Sequence, residues 1–397
     1  MVESYDVQKD SSILIVDDDV SQRMILRQIF ETQGFKKIEE AENGREALSK
    51  TYELDPDLVL LDMNMPVMDG FEYCKTIRKD QKYKHLTILA QTGLVDAQEK
   101  ALIFMAGAND YVSKPIDPYE MTARSLTHLE NALHLKQIEI FTNRIKEELE
   151  TARNLELALL PSEKELAEIN KKFNIEIYSH FQTSSEMGGD FWGVRELEKN
   201  IIAIYIIDFS GHGVSSALNA LRIHALISSH KDSSAKDPAK FLTWLNKNLY
   251  KMLPTNQYAT MFYGVIDYKK DKLIYTSAAH PSSVLIRTTP KQSFKFLESA
   301  GFPLGVNEKA NYINYEEDFN KNDILLLYSD ALIETPNYTS KNCIDEKLLK
   351  DMLKEAIEVG DKAKDGKKLF NHFIALFNKG YSKNLQDDLT INMLLRG

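Results

Sequence analysis

Ile13-Leu14-Ile15-Val16-Asp17-Asp18 decides the first half of the fold: four consecutive apolar residues run directly into two acids. A short continuous apolar run is what a strand covered on both faces requires. The pattern returns in Asp57-Leu58-Val59-Leu60-Leu61, which is followed by Asp62, and then in Leu86-Thr87-Ile88-Leu89-Ala90 and Tyr111-Val112. Helical patterns at 20–33 and 44–53 lie between them, punctuated by Gly34 and Gly44. Strands alternating with helices predict a doubly wound parallel sheet. Ligands of such sheets sit at the carboxyl ends of the strands. Asp17, Asp18, Asp62, Thr92 and Lys114 all fall there.

Carboxylates gathered at one edge repel one another unless a cation lies between them, and hard oxygen ligands suit Mg²⁺. A carboxylate beside that ion can attack a phosphoryl donor. Lys114 would pair with the product, and the Thr92 hydroxyl would bond one of its oxygens. With Leu61-Asp62-Met63-Asn64-Met65-Pro66, Asp69-Gly70 and Lys114-Pro115 in order, residues 12–125 resemble a response-regulator receiver domain, a five-stranded α/β fold. The resemblance implies that Asp62 is the phosphoacceptor, that Asp17 and Asp18 are the acidic pair, and that Thr92, Tyr111 and Lys114 form the switch. It further implies Mg²⁺ held by Asp18, Asp62 and the Asn64 carbonyl, and a sensor histidine kinase as partner. Gly93 stands where Ala is common.

Residues 119–160 change character. Leu126, Leu129, Leu133, Ile138, Phe141, Ile145, Leu149, Ala152, Leu155 and Leu159 recur at steps of three to five, between Pro118 and Pro161. The spacing predicts one long amphipathic helix joining two domains. It would pack on its own domains or form the coiled seam of a homodimer.

From about 170 the chain is strand-rich. Strands are expected at 201–207, 260–267, 272–279, 283–287, 323–328 and 389–395, and helices at 213–229, 238–252, 346–358 and 367–378. Asp190, Asp208, Asp330 and the pair Asp387-Asp388 each sit just before or after an apolar run. Buried carboxylates must be paired, hydrogen-bonded or bound to a cation. Without a His/Cys cluster the ligands are oxygens, which suits Mg²⁺ or Mn²⁺. Two such ions can lower the pKa of a shared water and clamp phosphoryl oxygens, so no protein nucleophile is required.

Leu159-Leu160-Pro161, Gly188-Gly189-Asp190-Phe191, Asp208-Phe209-Ser210-Gly211-His212-Gly213, Ala279-His280-Pro281, Pro303-Leu304-Gly305-Val306, Tyr328-Ser329-Asp330 and Asp387-Asp388-Leu389-Thr390 together resemble the metal-dependent serine/threonine phosphatases (protein phosphatase 2C-like), in their SpoIIE-like bacterial branch. That implies an α+β domain over 161–397, two packed β-sheets flanked by helices, with two Mn²⁺ or Mg²⁺. Asp208 would bridge both ions, with the Phe209 carbonyl as a further ligand. Asp330 and Asp387 would complete one metal, and Asp190 would hold the other through water. The implied substrate is a phosphorylated STAS-type anti-sigma-factor antagonist. Two positions depart from the pattern: Ala331 replaces a usual Gly, and Gly193 stands where Asp is frequent. A degenerate, partner-binding adaptor is therefore the alternative to an enzyme. His212 and His280 read as structural.

Composition removes other classes. Hydrophobic residues make up 43% and charged residues 27%, which is ordinary globular usage. A net charge of −10 disfavours sequence-independent nucleic-acid binding. The two cysteines, Cys74 and Cys343, exclude a disulfide scaffold, and with Asp80 and Leu349 six positions on, neither opens a Cys-x5-Arg phosphatase loop. Gly188-Gly189-Asp190-Phe191 lacks the acid before Phe that a cyclic-dinucleotide synthase carries. No run approaches a membrane span and 1–11 is not a signal peptide, so a cytoplasmic protein is expected.

Overall fold

In the computed structural model the chain divides into two compact units, Met1–Ile145 and Lys146–Gly397. The structure describes residues 10–397 except 94–95, 185–186, 212, 231, 255, 289–290, 299, 364 and 382–384. Most of the expected N-terminal extension 1–11, and His212, lie outside the described residues.

The first unit is a parallel sheet of β1 (Ser12–Val16), β2 (Lys37–Ala41), β3 (Leu58–Asp62), β4 (Thr87–Thr92) and β5 (Asp110–Ser113) in the order β2-β1-β3-β4-β5. Its central strands are apolar on both faces because both are covered. Leu14, Val59, Leu61 and Ile88 pack on one side, and Ile13, Ile15, Leu58 and Leu60 on the other. The helices α1 (Val20–Thr32), α2 (Gly44–Leu54), α3 (Gly70–Ile77) and α4 (Ala97–Ala106) begin on Asp19, Asn43, Asp69 and Asp96, whose side chains accept from first-turn N–H groups. β2, absent from the apolar reading, is an edge strand of mixed exposure.

The long helix α5 spans Pro118–Leu157, and the unit boundary falls within it. Met121 and Leu129 near its start are buried in the first unit's core. Further on, Leu135, Ile138, Phe141 and Ile145 are exposed. A second helix, α6 (Glu163–Phe173), follows Pro161 and opens with a reciprocal capping box between Ser162 and Glu165.

The second unit stacks two antiparallel sheets. One orders β13 (Tyr315–Asp318), β10 (Lys272–Ala278), β9 (Ala259–Asp267), β8 (Ile201–Phe209) and β7 (Phe191–Glu198). The other orders β12 (Ser293–Leu297), β11 (Ser283–Arg287), β14 (Ile324–Tyr328), β15 (Leu389–Arg396) and β6 (Ile175–Gln182). Strand alternation sends Ile202, Ile204 and Ile206 of β8 and Leu325 and Leu327 of β14 into one core between the sheets. The opposite faces are covered by α7 (Val214–Ser229) and α8 (Pro238–Met252) on one sheet. On the other they are covered by α10 (Glu346–Ala363) and α11 (Gly366–Gly380), α9 being the short turn Ala331–Glu334. At the edge, Lys272 pairs with Glu316 and Asp318 of β13, while Glu317 pairs with Arg287 and Lys295 of the other sheet.

Candidate functional site

In the first unit, parallel pairing brings the ends of β1, β3, β4 and β5 to one edge. Asp17, Asp18 and Asp62 there place ligand oxygens within 4.8 Å of one another. Asp17 and Asp62 are buried and Asp18 is exposed. The Lys114 ammonium lies 3.0 Å from Asp17 Oδ2 and 2.9 Å from Asp62 Oδ2. Burial pushes the Asp62 carboxyl up, opposed by Lys114 and reinforced by Asp17. Burial alone would lower Lys114, but its bonds to Asp62 and Asp17 outweigh that and hold it above the usual range. The Asn64 N–H donates to Asp62 Oδ1 at 3.3 Å. Thr92 is buried at the end of β4, and Tyr111 packs edge-on against Phe104.

In the second unit, both sheets deliver acids to one end. Asp190 directly precedes β7 and Asp208 is the penultimate residue of β8, its antiparallel partner. Asp330 follows β14, and Asp387-Asp388 precedes β15, which pairs antiparallel with β14. Asp190 is 1% exposed and Asp208 7%. Their carboxylates are close enough for each charge to act on the other. Burial first, then neighbouring carboxylates, push both up: Asp208 and Asp388 act on Asp190, and Asp330 and Asp387 on Asp208. Asp330 is pushed up to about 6, by burial and then by Asp387. Among the described residues only the trio Asp17, Asp18 and Asp62 fits one tight ligand shell. The four acids of the second unit are spread more widely. Oxygen donors that repel one another are the chemistry of a divalent-cation site.

The surrounding peptide holds these acids in place. The Thr390 hydroxyl donates to Asp190 Oδ2 at 2.8 Å. Thr390 N–H donates to Ser329 Oγ, which donates to the Asp388 carbonyl. Asp388 Oδ2 accepts from Gly189 N–H at 2.7 Å, and its Oδ1 from Ser184 N–H at 2.8 Å. Asp388 therefore shapes the loop that carries Asp190. A Cβ on Gly189 would lie 3.1 Å from that of Phe209 and 3.4 Å from the Phe209 carbonyl oxygen, so the two backbones approach closely. The sequence motifs include Thr390 and Ser329 but assign them no role, because their partners are some 60 to 200 positions away.

The two departures have different settings. Gly193 pairs with Tyr205 across β7 and β8, and a Cβ there would meet the Tyr205 hydroxyl at 2.3 Å. The tyrosine fills the space a side chain at 193 would need. Ala331 is buried at the start of α9 beside Leu332. His280 is buried, its N–H donates to Ser277 Oγ, and burial pushes its ring down to about 4. No helix among the described residues is long and apolar enough to cross a membrane.

The model of Stage II sporulation protein E (SpoIIE) matches residues 198–396, and that of the response regulator receiver domain matches 13–125. Asp208, Asp330 and Asp387 fall inside the first span, and Asp190 just before it. Phosphoserine phosphatase RsbP of Bacillus subtilis (strain 168) is 28% identical over 207 residues, covering 51% of this chain and 50% of RsbP. Transcriptional regulatory protein ResD of the same strain is 39% identical over 119 residues, covering 30% of this chain and 48% of ResD. The chain thus spans about half the length of these curated relatives. The SiaA-PP2C domain of Pseudomonas aeruginosa shares the fold of the larger unit, with a TM-score of 0.53 and 19% identity over 65% of this chain and 98% of that one. With a receiver domain ahead of its two-sheet sandwich, the chain belongs to the Stage II sporulation protein E (SpoIIE) family.

Proposed function

We propose that this protein is a metal-dependent phosphoprotein phosphatase whose output is set by phosphorylation of Asp62. The observation that carries the reading is the meeting of Asp190, Asp208, Asp330 and Asp387 at one end of the sandwich. Asp208 would be shared between two Mn²⁺ or Mg²⁺, with the Phe209 carbonyl, Asp330 and Asp387 beside one and Asp190 toward the other. Such ions, when bound, supply a polarised water and a positive clamp for phosphoryl oxygens. The chain's own part is to hold the acids in position. Thr390 fixes one oxygen of Asp190, and Asp388 fixes the preceding peptide.

The similarity to a phosphoserine phosphatase supports phosphoserine or phosphothreonine on a protein as substrate, and within the family a STAS-type anti-sigma-factor antagonist fits. In the receiver, Asp62 would accept phosphate from a sensor histidine kinase, with Asp17, Asp18 and the Asn64 carbonyl around Mg²⁺. Lys114 and Thr92 would meet the phosphoryl oxygens, and Tyr111 would move with Thr92. The exposed stripe Ile138, Phe141 and Ile145 on α5 recurs at helical spacing and supports a homodimer through that helix.

The test is Mn²⁺-dependent hydrolysis of p-nitrophenyl phosphate by wild type and Asp208→Asn. Turnover that vanishes in the variant is expected. Silence in both proteins, and again in residues 155–397 alone, sinks the enzymatic reading in favour of a partner-binding adaptor.

A further inference from the structure

Glu156 lies on the last turn of α5 and is 2% exposed, while Leu155 and Leu157 on either side are in solvent. Both of its carboxylate oxygens accept from one donor, the Gly188 N–H, at 3.0 and 3.1 Å. The next N–H along the chain, Gly189, is taken by Asp388 Oδ2. Two buried carboxylates thus grip the two consecutive peptide N–H groups that lead into Asp190. A Cβ at Gly188 would meet Asp388 Oδ2 at 2.4 Å and Glu156 Oε1 at 2.9 Å, so the acids flank the glycine directly. This packing is unfavourable in itself. Burial and the charge of Asp388 push Glu156 up to about 7, against the help of the Gly188 bond. Hydrophobic residues would fill the same space more stably. What a carboxylate adds is a fixed position for the peptide.

We propose that Glu156 is a positioning residue for the acidic site, holding the Gly188-Gly189 peptide so that Asp190 is aimed at its cation. The inference rests on the proposed two-metal reading. Asp190 is then held from two directions: by the Thr390 hydroxyl on its carboxylate and by the Glu156–Gly188 bond on its backbone. Partners one step removed from a metal ligand typically set its affinity by about 10–100-fold.

The experiment is calorimetric titration of MnCl₂ into the full chain, with a thermal melt of each protein alongside. Glu156→Gln keeps the reach and an acceptor oxygen. Glu156→Asp keeps the charge but withdraws the oxygens by one methylene. The glutamine variant is expected to bind Mn²⁺ within about threefold of wild type and the aspartate variant about tenfold more weakly. Raising Mn²⁺ should restore turnover in the aspartate variant, so the change appears in the metal requirement and not in kcat. An aspartate variant as tight as wild type, or a glutamine variant as weak as the aspartate one, overturns the proposal. If the aspartate variant fails to fold, Glu156→Ala takes its place: about tenfold weaker Mn²⁺ binding is expected, and binding as tight as wild type overturns the proposal. A wild type that takes up no Mn²⁺ overturns the two-metal reading and this inference with it, whereas equal binding by all three proteins overturns only the inference.

Discussion

Asp330→Asn should make the metal-free protein more stable while removing a ligand. In the folded state Asp330 is held near 6, against an ordinary aspartate value of 3.8. Below about pH 4 the carboxyl is protonated in both folded and unfolded chains and makes no difference. Between about 4 and 6 the unfolded chain gives up its proton first, so the folded state loses stability as pH rises. Above about 6 the whole penalty remains. A shift of about two units corresponds to about 3 kcal/mol. The side chain is partly open to water, and solvent screening reduces this to about 1–2 kcal/mol. For a unit of this size that is roughly 3–6 °C in Tm. The assay is calorimetric melting in EDTA at pH 8 and at pH 4. The variant should melt higher at pH 8 and equal to wild type at pH 4. With saturating Mn²⁺ the order should reverse, because wild type gains about 2.7 kcal/mol at a hundredfold excess over Kd and the variant does not. A lower Tm for the metal-free variant at pH 8, or the same gain at both pH values, would refute the argument that these acids repel.

Gly193→Ala should cost about 1–3 kcal/mol, measured by urea unfolding, because the new methyl group collides with the Tyr205 ring; a neutral result would show that Tyr205 can swing away. Lys114→Met leaves Asp17 and Asp62 facing each other without their cation, so the first unit should melt lower at pH 7 and regain stability when Mg²⁺ is added. Melting unaffected by Mg²⁺ would count against a cation site there. Phe141→Glu, on an exposed position of α5, should leave the circular dichroism spectrum unchanged and halve the mass seen by light scattering; a monomeric wild type removes the dimer.

The sequence made some elements plain and hid others for physical reasons. β1, β3, β8 and β14 are buried on both faces, so each is an unbroken apolar run that needs no context to be seen. β2, β12 and β13 are edge strands, half in water, and Lys37-Ile38-Glu39-Glu40-Ala41 or Tyr315-Glu316-Glu317-Asp318 looks like a surface loop. β6 is fully buried only at Ile175 and Ile177 and lacks the apolar run that marked the others. The helix α6 was visible in its capping pair Ser162 and Glu165, yet Pro161 drew attention as an end and not as the residue before a start. The acids were legible because each abuts an apolar run. Their supports were not: Glu156 is one of many glutamates along α5, and only its burial separates it from Glu147, Glu148 and Glu150.

The edge formed by β13 has a consequence for how the protein behaves when crowded. A strand at the border of a sheet exposes a row of unpaired N–H and C=O groups that any extended segment of a neighbour can join. Here that border carries three successive acids, two pinned by Lys272 and the third tied across to Arg287 and Lys295 of the opposite sheet. An incoming strand would have to accept buried like charges and break the tie that closes the sandwich. The edge acts as a guard against fibre growth, so the chain can be concentrated without seeding its own precipitation.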